Sequence, residues 1–233
     1  MSLLASVRLD VNAALERDPA ARSALEVVIT YPGFHARQVH RLAHRLHRAG
    51  LRIPARLVAQ FGRFLTGIEI HPGAVIGEAL FIDHGMGVVI GETAIVDDNV
   101  TLHQGVTLGG TSRLREKRHP TLRKGVVVGA HAQLIGAIEV GEEARVGAGS
   151  VVVSDVPPYT TVVGVPGRVV AVRFPDNRTV ARMPDPEGDD VAALLGRVDD
   201  LERRVAELDR ALRLTTRAAR GSASEDWASG ELA

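Results

Sequence analysis

The chain of 233 residues contains no cysteine. Disulfides, cysteine-ligated zinc and thiol nucleophiles are therefore excluded. Aromatic residues make up only 3%, which suits a thin aliphatic core better than a β-sandwich. An excess of one charge is missing as well, because 28 Lys+Arg balance 28 Asp+Glu. That balance leaves no electrostatic footprint for nucleic acid or an anionic membrane surface. No apolar run approaches the length of a membrane span. The first twenty residues are broken by Asp10, Glu16 and Asp18 and lack the apolar stretch of a signal peptide. The expectation is a soluble, cytoplasmic protein with no membrane or nucleic-acid partner. At 45% hydrophobic residues, it can bury a sizeable core.

An aliphatic beat fills the middle of the chain. Ile70, Ile76, Ile82, Ile90, Val96, Leu102, Leu108, Leu122, Val128, Leu134, Val140, Val146 and Val152 return every sixth position, with two interruptions. Small or aliphatic residues follow four places later, as at Ala74, Val100, Ala132 and Ser150. A fixed six-residue period predicts a parallel β-helix built from hexapeptide turns. One hexapeptide cannot bury its own apolar face, whereas stacked coils bury a continuous column.

The interruptions are the candidate functional positions. Two extra residues between Ile82 and Ile90 carry Asp83-His84-Gly85-Met86-Gly87. Eight extra residues between Leu108 and Leu122 carry Gly109-Gly110-Thr111 and Arg118-His119-Pro120. Solenoids accept insertions as loops, often on the binding face. Each insertion here sets a histidine beside a charged residue.

Residues 1–66 read as an α-helical domain. Asp18-Pro19 is expected to cap a helix running through Leu25 and Val28, and Tyr31-Pro32-Gly33 to break it. Phe34 to Ala49 reads as a second helix closed by Gly50, and Pro54 to Leu65 as a third. Residues 67–172 read as the β-helix and its terminal cover, and 173–190 as a linker. A heptad seam of Val191, Leu194, Val198, Leu201, Val205, Leu208 and Leu212 predicts a coiled-coil helix over 191–216. Residues 217–233 have the composition of a disordered tail.

His40, His44 and His47 share one helix face, beside Arg37, Arg41, Arg45 and Arg48. Cations that close disfavour a metal, so these histidines read as packed or solvated.

The ordered set Glu69-Ile70-His71-Pro72, Asp83-His84-Gly85, Gly109-Gly110-Thr111 and Arg118-His119-Pro120 resembles serine O-acetyltransferase. In the helical part, Asp18-Pro19-Ala20 and Tyr31-Pro32-Gly33-Phe34-His35-Ala36 are similar to the same family. The resemblance spans about residues 15 to 172. It implies a left-handed parallel β-helix in a homotrimer with active sites between subunits. It also implies acetyl transfer from acetyl-CoA to L-serine, the first step of cysteine biosynthesis, with acetyl-CoA as co-substrate and no metal.

By that resemblance His84 is the general base. A histidine suits the task because it titrates near neutrality. Glu69 stands where the family often has Asp, to orient the imidazole. Arg118 and His119 match the carboxylate-binding pair, and Asp83 and Asp18 match the acids at the ammonium and hydroxyl end. Asp18 is expected to work with the β-helix of a neighbouring subunit. Gly110, Ala130 and Ala148 match positions along the pantetheine arm, with Arg145 a cation for the nucleotide end. Cysteine feedback at the serine site is a further family trait. Related chains end in Ile and insert their tail into O-acetylserine sulfhydrylase. Here the last residues are Gly230-Glu231-Leu232-Ala233, which argues against that complex.

Three alternatives stay open. Another hydroxyl acceptor, such as a sugar, would keep the fold. A metal hydratase would use His71, His84, His103, His119 and His131 as zinc ligands. A non-catalytic trimeric scaffold would make the coiled coil its purpose. Val at the a positions leans towards two strands and the β-helix towards three, so helices could also pair two trimers.

Overall fold

The computed structural model describes residues 2–174, 180–182 and 193–210. It divides into two units, Met1–Met183 and Pro184–Ala233.

Three parallel ladders form the faces of a triangular prism. The first face stacks Glu69–Ile70, Val89–Ile90, Thr107–Gly109, Gln133–Ile135 and Val151–Val152. The second stacks Val75–Ile76, Ile95–Val96, Thr121–Leu122 and Glu139–Val140. The third stacks Phe81–Ile82, Thr101–Leu102, Val127–Val128, Arg145–Val146 and Thr160–Val163. The chain visits the faces in turn and climbs one layer per circuit, as a left-handed β-helix. The beat residues are the inward positions: Ile90, Leu102, Leu108, Leu122, Val128, Leu134 and Val140 are all 0% exposed. The residues four places later turn the corners from inside, and Val100, Ala132 and Ser150 are equally buried. The column of side chains is continuous along the stack.

The top of the prism is closed by four helices. These are α1 (Leu3–Arg17), α2 (Ala24–Thr30), α3 (Pro32–Arg48) and α4 (Arg52–Thr66). The expected cap at Asp18 is not an N-cap: Asp18 ends α1, its backbone N–H bonded to Ala14. The next helix starts later, because Ser23 caps it by accepting from the Glu26 N–H, while Glu26 accepts from the Arg22 N–H. The Ser-x-x-Glu spacing was the signal for this start. Tyr31 ends α2 and starts α3, with Pro32 at the first turn. Gly33 lets α3 lie on the prism, since a Cβ there would meet the Ile82 carbonyl at 2.2 Å.

Polar ties lock the helices to the first coils. Arg37 is buried rather than on a solvated basic face, and it donates to the carbonyls of Ile76 and Gly77 at 3.2 and 2.8 Å. Arg41 bridges Asp10 and Glu78 at 2.6 and 3.1 Å. His40 is buried against Arg37, and His44 donates to the Pro72 carbonyl at 2.8 Å. Among the described residues no group of three or more His, Cys, Asp or Glu could hold a metal ion.

At the other end, Thr160–Val163 covers the last coil and pairs antiparallel with Arg168–Arg173. The region read as a linker contains one more strand, Val180–Arg182, paired with residues 171–173. Its pairing partner supplies hydrogen bonds that composition does not reveal. The other residues of that region lie outside the described ones, as does the tail. Of the predicted coiled coil, residues 193–210 are helical; we number this helix α5. No described helix is long and apolar enough to cross a membrane.

Burial also sets a pH dependence. Desolvation holds the His40 imidazole down at about 3, and His71 at about 4 with help from Arg56. The unfolded chain protonates these histidines near 6.5, so between those values it binds more protons than the fold does. Stability is therefore complete above pH 6.5 and falls as pH drops towards 4. Thermal melts across pH 7.5 to 4.5 are expected to show this slope, and His71→Gln to flatten it. An unchanged slope in the variant would rule out His71 as a source.

Candidate active site

The two insertions sit at different corners of the prism. Asp83–Gly87 forms the corner between the third and first faces. The longer insertion forms the corner between the first and second faces.

At the third-to-first corner His84 adopts φ 57°, a left-handed conformation that histidine tolerates better than branched residues. The turn is completed by Gly85 at φ 81°, where a Cβ would meet the Ile68 side chain at 2.5 Å. This geometry pushes the imidazole outward, leaving the side chain 75% exposed. Asp83 stands between two imidazoles, with His84 Nε2 3.9 Å from one carboxylate oxygen and His103 Nε2 3.8 Å from the other. His103 Nδ1 donates to the Val128 carbonyl at 2.9 Å, which fixes its ring. Sequence reading counted His103 only as a possible metal ligand. The signal for its place was its position one layer below Asp83, one coil further along the repeat.

Asp18 lies at this corner within the same chain, where its charge acts on His84. Its carboxylate accepts from Tyr31 Oη at 2.6 Å and from the Ala20 N–H at 2.8 Å. The Tyr31 bond foremost, then Ala20, and also the field of His84 hold Asp18 below the usual carboxylate range. The same bond raises Tyr31 to about 12. Asp18 is brought there because α1 packs on the third face, with Arg17 donating to the carbonyls of Ala79 and Val100.

Glu69 does not pair with His84 in the single chain. Its carboxylate meets Arg63 at 3.0 Å. Arg63 lies in the last turn of α4, just before the first strand, and proximity in sequence brings the two together.

At the first-to-second corner Thr93 organises the insertion. Its hydroxyl accepts from the N–H groups of Arg118 and His119 at 3.0 and 3.1 Å. The same hydroxyl donates to His119 Nδ1 at 2.9 Å, joined by the Thr93 N–H at 3.2 Å. With Nδ1 an acceptor, the neutral ring carries its proton on Nε2. Burial, then Arg118 and Lys117, lower the His119 pKa and keep it neutral. Lys117 staples the base of the loop by donating to the carbonyls of Thr93, His119 and Pro120. Arg118 meets Glu92 at 2.5 Å. Neither Thr93 nor Lys117 was found from sequence, since their partners lie on another coil or are main-chain atoms.

A cleft of about 750 Å³ opens beside Arg118, with His47, His71 and Glu92 in its wall and without His84. Gly110 is at this corner, where a Cβ would meet His119 Nε2 at 3.0 Å. Ala130 and Ala148 lie at the other corner, on successive layers below His84. There the turns are linked by Gly105 N–H to Met86, His131 N–H to Gln104 and Gly149 N–H to Ala130. Arg145 is exposed on the third face that leads into the same corner.

Residues 1–39 match the family described as "Serine acetyltransferase, N-terminal". A serine acetyltransferase of Synechococcus elongatus is 53% identical over 203 residues, 86% of this chain and 83% of that protein. The crystal structure of a Brucella abortus serine acetyltransferase in complex with coenzyme A matches with a TM-score of 0.70. It is 44% identical and covers 72% of this chain and 67% of that one. Soybean serine acetyltransferase complexed with serine gives a TM-score of 0.71, 46% identity and coverage of 72% and 70%. With this fold, these corners and these relatives, the chain belongs to the serine acetyltransferase family.

Proposed function

We propose that this protein transfers the acetyl group of acetyl-CoA to the hydroxyl of L-serine, giving O-acetyl-L-serine and CoA, the first step of cysteine biosynthesis. The observation that carries this reading is His84, turned outward beside Asp83 and Asp18 in a chain of this family. A serine hydroxyl attacks a thioester only as its proton leaves. In the proposed step His84 takes that proton while the serine oxygen bonds the acetyl carbon. The tetrahedral adduct then collapses, the carbon–sulfur bond breaks, and the imidazolium returns the proton to the CoA thiolate.

Asp83 and Asp18 offer two carboxylates to the substrate ammonium and help hold the imidazolium. Glu69 is the further acid proposed to orient His84. Its bond to Arg63 joins side chains 33% and 55% exposed, and exposed pairs of this kind are worth only about 0–1 kcal/mol. Exchange of partners during the reaction is therefore cheap. Arg118 and the Nε2–H of His119 supply a charged and a neutral donor for the substrate carboxylate. Acetyl-CoA would run down the corner below His84, past Ala130 and Ala148, with Arg145 towards its nucleotide.

The two halves of this site lie on different corners of one prism. A face is a hexapeptide wide, roughly 15–20 Å at strand spacing, too far for one serine to touch both. The reading thus requires a second copy to bring Arg118, His119 and Gly110 to the first copy's His84. A homotrimer of triangular prisms supplies three such junctions. We propose the cytoplasm as its location, where acetyl-CoA and free L-serine are both available.

The test is serine-dependent release of the CoA thiol, read with a thiol-reactive dye. The protein has no cysteine to add background. His84→Ala is expected to lower turnover on the order of a hundred- to ten-thousandfold while the oligomer stays intact by light scattering. Release with another hydroxyl acceptor but not with serine would overturn the substrate; full activity in the variant would overturn the base.

Thr93→Val removes the acceptor for two buried N–H groups and the hydroxyl donor to His119. The expected result is a rise of about tenfold in KM for serine, the loss of one charge-assisted hydrogen bond. KM for acetyl-CoA should hold, and Thr93→Ser should behave as wild type. A serine KM unmoved by Thr93→Val would remove Thr93 from the carboxylate end of the site.

A further inference from the structure

Helix α5 carries its own assembly code. Residues 193–210 present Leu194, Val198, Leu201, Val205 and Leu208 along one stripe, and all five are 48–70% exposed in the single chain. Most of the stability of an amphipathic helix in a protein comes from packing its apolar face. Gly196 in the interior of α5 weakens it by about 1 kcal/mol relative to alanine. Such a helix needs a partner for its apolar stripe.

The charges beside the stripe say which partner and in which direction. With Val198 and Val205 at a and Leu194, Leu201 and Leu208 at d, the flanking g positions are Arg197 and Arg204. The flanking e positions are Leu195, Glu202 and Asp209. In a parallel, in-register coiled coil each g residue faces the e residue five places later on the adjoining helix. Arg197 then meets Glu202 and Arg204 meets Asp209, opposite charges in both cases. In an antiparallel pair g faces g and e faces e. Arginine would then meet arginine and acid would meet acid, a repulsive arrangement.

We propose that α5 is a parallel, in-register oligomerisation helix whose partner is the same helix of other copies of this chain. A twofold axis that joined two oligomers head to head would run their helices antiparallel. The charge pattern therefore assigns α5 to holding together copies within one oligomer, not to pairing oligomers. That the copies number three rests on the trimer proposed above; the parallel register does not.

The absence of cysteine makes the test direct. Leu194→Cys and Leu208→Cys place single thiols near opposite ends of the stripe in the full-length protein, roughly 21 Å apart along the helix. After oxidation each variant alone is expected to give a disulfide-linked dimer on non-reducing gels, since in register each thiol faces its own copy. Cross-linking only when the two variants are mixed would show antiparallel helices and overturn the proposal. No cross-link in either variant or in the mixture would show that α5 has no self-partner, and would overturn it too. In the Leu208→Cys background, Arg197→Glu with Arg204→Glu should cut the cross-linked fraction on the order of tenfold. Adding Glu202→Arg and Asp209→Arg should restore it. Charge reversal without effect would remove the basis for the register. Serine-dependent thiol release from the reduced samples reads the active site separately. Activity without cross-links therefore counts against α5 alone.

Discussion

The return of each strand to the one a layer above governs the rest of this structure. A hexapeptide strand has only two or three residues in the ladder, so its hydrogen bonds come almost wholly from neighbouring coils. Along the first face the pairs are Glu69 with Val89, Val89 with Thr107, Thr107 with Gln133 and Gln133 with Val151. Those partners lie 20, 18, 26 and 18 residues apart. The ladder accepts the longer steps because the extra residues leave at corners, where no strand hydrogen bond is lost. A one-residue slip inside a strand would instead turn the aliphatic beat outward. Chemistry that needs irregular backbone is thus confined to corners. His84 at positive φ and the Arg118–His119 loop are the two places where the prism departs from its period.

This explains what could be read from the sequence and what could not. The prism was legible because one side chain per hexapeptide must be aliphatic to fill the column, so the fold leaves a mark every six residues. The corners were legible as breaks in that mark. Contacts between layers left no such trace. Thr93 and His119 are 26 positions apart and His103 and Asp83 are 20 apart. Each pair meets only because the coils stack. Asp18 was misplaced for a related reason. Its capping chemistry suits either end of a helix linker, and only the packing of Val11, Ala13 and Ala14 against Ala79 and Phe81 fixes where α1 ends. The strand Val180–Arg182 was hidden because an antiparallel edge strand needs no apolar period of its own.

Charge neutrality conceals strong local order. Arg37 is driven down to about 10 by burial, yet it stays cationic at neutral pH, with Nη2 donating to the carbonyls of Ile76 and Gly77. The neighbouring His40 cannot also carry charge there, and so remains neutral. At the first-to-second corner the same logic keeps His119 uncharged between Arg118 and Lys117. The outcome is one fixed cation, Arg118, next to one neutral donor, an arrangement suited to a single carboxylate rather than to a dianion. Glu92 balances Arg118 and is itself held below its ordinary range, first by that hydrogen bond. The corner is thereby set in place before any ligand arrives.

The separation of the corners links this local order to the assembly. On the proposed reading a single prism displays its base at one edge and its carboxylate clamp at another, and among the described residues the ladder holds those edges apart. That reading makes the chemistry depend on association and on how firmly the copies are held. The outward strand positions of the faces mix apolar residues, Val75, Val89, Ile95, Val127 and Val151, with threonines and charged residues, so the faces can themselves bury apolar area between copies. The proposed parallel helix, with its complementary g and e charges, would add a direction to that association. It would raise the local concentration of copies and run their helices in one direction. A helix far from the acyl-transfer step in sequence would in this way favour the assembly that completes the site, without itself touching the substrates.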